Sequence, residues 1–349
     1  DSETFMEEWL SLVKSKSGER GIFNRVAAQN QANKWGRRDP TLSYGTNPCS
    51  EIILRDKQFC NLTEVVVREK DTEATLLNKV KLATILGTIQ STLTNFKFLS
   101  SEWEHNTEEE RLLGVSLTGI MDCKVTSNPD PKLLERLRDE ARKTNTEYSR
   151  ILGIQASASI TCVKPSGTVS QLVNSASGIH ARHNDYYIRT IRMDKKDPIY
   201  TFLKEQGVEV EDEQFRPDST AVFSFPMKAP KGAILRNDKT ALEQLELWLI
   251  YQRHWCEHKP SVTISVKDNE WVEVGAWTWK HFDEISGVSY LPHTDHTYVQ
   301  APYQDCTKEE YEELLAKTPS TIDWSKFVEE EDNTEGAQTL ACTAGGCEI

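Results

Sequence analysis

No stretch of this sequence stays apolar for the roughly 20 residues that a membrane-crossing helix needs. The first ten residues, DSETFMEEWL, carry neither the basic segment nor the apolar one of a secretory leader. A membrane partner is therefore not expected. Basic charge is in deficit, with 41 Lys and Arg against 54 Asp and Glu and a formal net charge of −13. Such a field repels phosphate backbones, which argues against a nucleic-acid partner but leaves room for a small anion held by a local cation or helix end. A disulfide scaffold is lacking too. The eight cysteines, at 49, 60, 123, 162, 256, 306, 342 and 347, show no spacing of a secreted disulfide framework, and a reducing, cytoplasmic compartment is expected. No internal repeat is present. The chain opens on Asp1 rather than Met, which reads as a processed product or a piece of a longer chain.

What is there is ordinary for a globular protein. At 349 residues, 38% hydrophobic and 27% charged, the chain can bury a large core as one α/β domain or two smaller ones. Apolar residues at helical spacing predict helices over 73–95, 131–152, 238–252 and 307–317, with Asp130 as an N-cap and Thr307/Glu310 at capping-box spacing. Short β-rich runs, LTEVVV (62–67), ASITCV (158–163), AVFSF (221–225) and SVTISV (261–266), lie between them. Interleaved helices and strands predict an α/β fold. No linker stands out before the last stretch, VEEEDNTEGAQTLACTAGGCEI, which is acidic, then Gly-rich, and reads as a mobile tail.

The chemistry concentrates in a few segments. In residues 44–62, YGTNPCSEIILRDKQFCNL, extended chain would turn Asn47, Cys49 and Glu51 to one side. An amide, a thiol and a carboxylate aimed together suit radical or nucleophilic sulfur chemistry with a base beside it. A short buried edge with a free cysteine is the plainer alternative. Residues 159–173, SITCVKPSGTVSQLV, place a strand before a Pro-Ser-Gly turn whose free amides could meet a phosphate. The order is not that of a P-loop, and a capped structural turn would also explain it. His180, Arg182 and His183 gather positive charge in SGIHARH (177–183), as ligand contacts or as structure; Arg189 and Arg192 read as a solvated face. Cys342 and Cys347 form a dithiol that can exchange with a partner thiol. An extended tail from Trp324 would carry Cys342 roughly 60 Å. A zinc half-site is the alternative, although no further ligands stand nearby at metal spacing, and no metal site is expected. Cys123, Cys256 and Cys306 read as buried small hydrophobes, and His254 and His258 around Cys256 as a packed helix end.

Taken in order, Asn47-Pro-Cys-Ser-Glu-Ile52, Phe59-Cys-Asn-Leu62, RLLGVSLTGIMD (111–122), KPSGTVS (164–170), SGIHARH, PSVTISV (260–266), LPHTDHTYVQAPYQ (291–304) and the terminal cysteine pair resemble the catalytic subunit of ribonucleotide reductases. The likeness is greatest to the adenosylcobalamin-dependent class with monomeric ribonucleoside-triphosphate reductases. It implies that residues 1–323 are the second half of a ten-stranded α/β barrel whose central finger loop carries Cys49 sheltered at its tip, and that 324–349 is a redox-active tail. By that likeness Cys49 becomes a thiyl radical that takes the 3′ hydrogen of the ribonucleotide. Glu51 takes the 3′-hydroxyl proton, Asn47 holds the sugar hydroxyls, and Cys60 is one of two reducing thiols. Pro165, Ser166, Gly167, Thr168, Val169 and Ser170 hold the substrate phosphates. Cys342 and Cys347 re-reduce the site and are reduced by thioredoxin. The cofactor implied is adenosylcobalamin, with His180, Arg182 and His183 as candidate contacts. Ser50 stands where the family commonly has Gly. The partner thiol of Cys60 and the allosteric specificity region belong upstream of this chain, so an N-terminal half-barrel partner chain is expected, with Cys162 a weak substitute for the thiol. The competing readings are the large subunit of a di-iron-dependent reductase, against which the lone Tyr290 near 265–290 counts, and a non-catalytic thiol- or zinc-binding chain.

Overall fold

A computed structural model describes residues 1–18, 20–293 and 299–328, the side chain of Thr168 excepted. The expectations placed on residues 329–349, the Cys342/Cys347 dithiol among them, lie outside the described residues. The described residues divide into two compact units, Asp1–Arg182 with Lys231–His293, and His183–Pro230 with residues 299–328.

In the first unit, strands alternate with helices as the sequence pattern predicts. Strand Asn61–Val66 leads through helix Glu73–Gln90 to strand Leu113–Thr118, and helix Pro131–Leu152 leads on to the short strand Thr161–Cys162. The three strands are parallel neighbours, as helical crossovers require. All six residues of Leu113–Thr118 are buried, which is how a parallel strand covered on both faces reads. A parallel bridge between Val163 and Pro260 continues the row. Strand Thr263–Val266 follows, and after helix Trp271–Lys280 its parallel neighbour Val288–Pro292. Five strands thus run parallel in the order 61–66, 113–118, 161–162, 263–266, 288–292, and Gly21–Ile22 caps the far edge antiparallel. The main core of this unit is a cluster around Trp248, Tyr251, Trp255 and Tyr290, each fully buried.

Local chemistry sets the helix ends. Thr72 with Thr75 and Thr240 with Glu243 close capping boxes, and Asp130 caps a helix whose first residue is Pro131. Two of the expected spans shift: the helix placed at 73–95 stops at Gln90, and the one placed at 238–252 is Ala241–His254.

The second unit is an antiparallel sheet in the order Tyr303–Asp305, Tyr186–Asp194, Thr220–Lys228, Val210–Asp212, with helices Pro198–Glu205 and Lys308–Lys317. Phe202, Leu203, Val208 and Phe223 form its core. Trp324 and Phe327 pack tilted against Phe202. Arg189 and Arg192, expected on a solvated face, instead donate to the carbonyls of Pro302 and Gln300.

Candidate active site

Residues 45–54 form a hairpin, with Gly45 opposite Leu54 and Thr46 opposite Ile53. Its tip is a turn rather than the extended chain expected. The amide of Ser50 donates to the carbonyl of Asn47 at 2.9 Å, and the Asn47 side chain accepts from the amide of Ile52 at 3.0 Å. Ser50 sits at φ +63°, the left-handed region that glycine adopts most easily. That is the physical reason a glycine is at home at this position. The turn separates what an extended strand would have aligned: Cys49 is exposed at the tip, whereas Glu51 is fully buried. The shelter expected for Cys49 is therefore not supplied by the described residues of this chain.

The base of the hairpin is held firmly. Ile53 donates its amide to Nδ1 of His258, and its carbonyl accepts from Arg38. His258 donates Nε2–H to the carbonyl of Leu113 at 2.9 Å. Burial, then the nearby Arg38, pushes the His258 imidazole down to about 3, so it stays neutral. Arg38 itself lies in a buried bidentate pair with Glu110.

Glu51 is the centre of a shared electrostatic site. One carboxylate oxygen accepts from Lys164 Nζ at 2.9 Å, and the other is buried without a partner among the described residues. The neighbours come from one face of the parallel sheet. Cys60, Leu62 and Glu64 alternate onto that face, and Glu64 pairs in register with Ser116, which pairs with Cys162. Ser116 donates to Glu64 at 3.0 Å and accepts from the amide of Lys164 at 2.9 Å. Burial, and then the charge of Glu51, pushes the Cys60 thiol up to about 12, and the same two causes raise the fully buried Cys162. Burial lifts Glu64 to about 7 although Ser116 donates to it. Lys164 is held above its ordinary value by Glu51 despite its partial burial, and it senses Cys49 as well. The hairpin tip and the sheet face thus bring Cys49, Glu51, Cys60 and Cys162 around one carboxylate–ammonium pair. Glu64, Lys164 and Lys259 are neighbours that the sequence reading did not assign. The two-residue period 60, 62, 64 could have pointed to Glu64.

The turn at 165–170 follows directly. Pro165 and Ser166 are buried, and Gly167–Leu172 is a short helix. The Ser166 hydroxyl does not cap that helix; it meets the Thr118 hydroxyl at 2.6 Å, and Thr118 in turn donates to the carbonyl of Ala176. The opening amides at Gly167, Thr168 and Val169 therefore gain no cap from the Ser166 side chain. Ser170 is buried and donates its amide to the Ser166 carbonyl, while Val169 is exposed.

The basic cluster does not assemble. His180 is half-buried, held between the carbonyl of Ser177 and the amide of Thr263, and desolvation lowers its pKa. Arg182 forms a bidentate pair with Asp122, both contacts 2.8 Å, and also reaches Asn174. His183 belongs to the other unit, 3.1 Å from Asp305 and stacked on Tyr303. These side chains anchor structure. With them, Gly178 adopts φ +53° against the Lys164 carbonyl, where an added Cβ would stand 2.5 Å away, so the loop behind the 165–170 turn is locked in place. Cys123 and Cys256 are buried as expected, but Cys306 is half-exposed.

No family model matches the chain. Among curated proteins it is 29% identical over 345 residues to the adenosylcobalamin-dependent ribonucleoside-triphosphate reductase of Euglena gracilis, covering 95% of this chain and 46% of that protein. It is 27% identical over 374 residues to the enzyme of the same name from Lactobacillus leichmannii, covering 96% and 50%. The chain resembles adenosylcobalamin-dependent ribonucleotide reductases. It spans about half the length of the curated relatives it matches. Among solved structures, a B12-dependent class II ribonucleotide reductase shares the fold at TM-score 0.74 and 23% identity, covering 90% of this chain and 49% of that one. The alpha subunit of an Actinobacillus ureae class Id ribonucleotide reductase follows at TM-score 0.55 and 14%, covering 83% and 61%. The fold is α/β, of the class II reductase type. Among the described residues, no helix is long and apolar enough to cross a membrane.

Proposed function

We propose that this chain carries the radical and acid–base residues of an adenosylcobalamin-dependent ribonucleotide reductase, which removes the 2′ hydroxyl of ribonucleoside triphosphates. The observation that carries the reading is Glu51: a fully buried carboxylate with one oxygen on Lys164 and the other without a partner among the described residues, one residue beyond the Cys49 turn. A buried acceptor left open costs free energy unless a ligand donor meets it, and a ribose hydroxyl is such a donor.

In this reading Cys49, as a thiyl radical, takes the 3′ hydrogen. Glu51 accepts the 3′-hydroxyl proton, and Asn47, whose Oδ1 is committed to Ile52, offers its amide N–H to the sugar. Cys60 donates hydrogen from a thiol that its surroundings keep protonated at neutral pH. The helix-opening amides at 167–169, which the Ser166 side chain does not cap, hold the phosphates, with Pro165, Ser166 and Ser170 shaping the turn. Cys342 and Cys347 return electrons from thioredoxin or a similar reductant.

Adenosylcobalamin supplies radical chemistry that side chains lack. His180, Arg182 and His183 do not fit as its contacts, since each is committed to partners within its own unit. The exposure of Cys49, and a strand Asn61–Val66 paired on one side only among the described residues, support a further half-barrel that closes over the finger-like hairpin and supplies the second thiol. The five parallel strands are the half that this chain contributes.

The test is deoxynucleotide formation from a ribonucleoside triphosphate by the chain combined with that half, given adenosylcobalamin and a dithiol. Cys49→Ser and Glu51→Gln each lower turnover by about a thousandfold or more. Turnover that depends on a separate radical subunit instead of adenosylcobalamin would favour the di-iron class.

A further inference from the structure

The turn that bears Cys49 rests on a segment the functional reading leaves idle. Three consecutive carbonyls of the turn accept hydrogen bonds from residues 259–261. The Ser261 hydroxyl donates to the carbonyl of Cys49 at 2.6 Å, Lys259 Nζ donates to the carbonyl of Ser50, and the Lys259 amide donates to the carbonyl of Glu51 at 3.3 Å. Lys259 Nζ also reaches the Ser50 hydroxyl at 3.2 Å. The donor segment is itself pinned. Pro260 bridges Val163, its carbonyl accepts from the Trp248 indole at 2.8 Å, and the amide of Ser261 donates to Val163 at 2.9 Å.

Lys259 has 0% exposure, an unusual place for an ammonium group. Its side chain lies in a slot that exists because residue 287 is glycine. A Cβ there would stand 2.9 Å from Ser50 Oγ and 3.1 Å from Lys259 Nζ. The left-handed backbone of Ser50 turns its carbonyl and hydroxyl into the same slot. A lysine buried this deeply, bonded to both polar groups of the residue after Cys49, is a costly way to hold a loop unless the position of the loop matters.

We propose that Lys259 is a positioning residue: with Ser50 and Gly287 it fixes the turn that aims the Cys49 sulfur, and it touches neither substrate nor the reacting atoms. The proposal rests on the reductase reading for its consequence in catalysis, though not for the structural coupling itself. Misplacing a reacting group by about an ångström costs roughly a hundredfold in rate.

Two measurements on Lys259→Met and Ser50→Gly test it. The first is hydrogen–deuterium exchange of the full chain. In Lys259→Met, protection across residues 45–54 falls by about tenfold or more, while strand Leu113–Thr118 stays within about twofold. Ser50→Gly gives a smaller local loss, because the hydroxyl contact disappears while the carbonyl contact stays and glycine suits the left-handed backbone. Unchanged exchange over 45–54 overturns the proposal, and so does a uniform loss across the chain, which would make Lys259 a general core residue. The second is steady-state kinetics of the assembled enzyme, in which Lys259→Met lowers kcat about 10- to 100-fold and leaves KM within about twofold. An equal rise in KM with kcat preserved overturns the positioning role. If the unmodified assembly makes no deoxynucleotide, the reductase reading fails, and the exchange experiment still decides whether Lys259 holds the turn.

Discussion

Glu64 shows how a single side chain can be titrated by its address. It sits mid-strand on the face shared with Cys60, Ser116 donates to it, and burial outweighs that bond, so its carboxyl is raised from an ordinary 4.5 to about 7. A raised folded pKa means that the folded chain holds a proton which the unfolded chain has already released. The associated stability is fully present below about 4.5 and is lost as pH rises through about 7. Glu64→Gln keeps an acceptor for Ser116 and never ionises. The stability gap in its favour therefore opens between about pH 4.5 and 7 and levels off above. Urea midpoints at several pH values read this directly, and a gap that closes with rising pH would contradict it. Glu64 was legible only in part: the period of two puts it on the Cys60 face, but only burial makes it weakly acidic.

At the scale of elements, the hairpin is set by partners far away in sequence. Its base packs on Ala28 and Ala32 of helix Arg25–Asn33, through Tyr44 and Ile53. Arg38 ties it to Glu110, with side-chain exposures of 0% and 5%. Removing one member of such a buried pair strands the other, so Arg38→Met should destabilise the chain by about 3–5 kcal/mol in chemical denaturation. A cost below ~1 kcal/mol would show that water reaches the pair. None of this was visible locally, and the extended reading of 47–51 failed for the same reason: a two-residue period describes a strand, whereas the chain reverses here through a turn. Helix Pro131–Leu152 shows the opposite case. Its cap, its proline and its apolar spacing all lie within the segment, and its bounds match the sequence expectation. Helix Ser2–Ser15 was missed because its apolar side gains meaning only against Trp271 and Tyr290, which Trp9 meets edge-on or tilted.

For the whole molecule, each compact unit has its own main core among the described residues. The cluster around Trp248 and Trp255 serves the unit with the parallel strands, and Phe223 at 0% exposure centres the other. Phe223→Ala leaves a cavity in an antiparallel sheet for which one core cluster is found among the described residues. A loss of about 3–5 kcal/mol is expected, read as faster hydrogen exchange throughout His183–Pro230. Exchange unchanged in that unit would mean that its core does not depend on Phe223. The split also decides the fate of the SGIHARH segment. Sequence proximity suggested one basic site, but the boundary between units falls between Arg182 and His183, and the side chains turn to separate partners.

The sequence by itself determined what depends on neighbours along the chain: the interleaving of helices and strands, the helix caps, and the order of the motifs around Cys49, Cys60 and the 165–170 turn. Tertiary structure decided what depends on distance through space: which carboxylate pairs with Lys164, which lysine is buried beneath Ser50, and that Cys49 stands exposed while Glu51 is enclosed. The physical reason is the range of the forces. Capping and periodicity act over about four residues, whereas desolvation and buried ion pairs arise only when segments a hundred or more residues apart exclude water together.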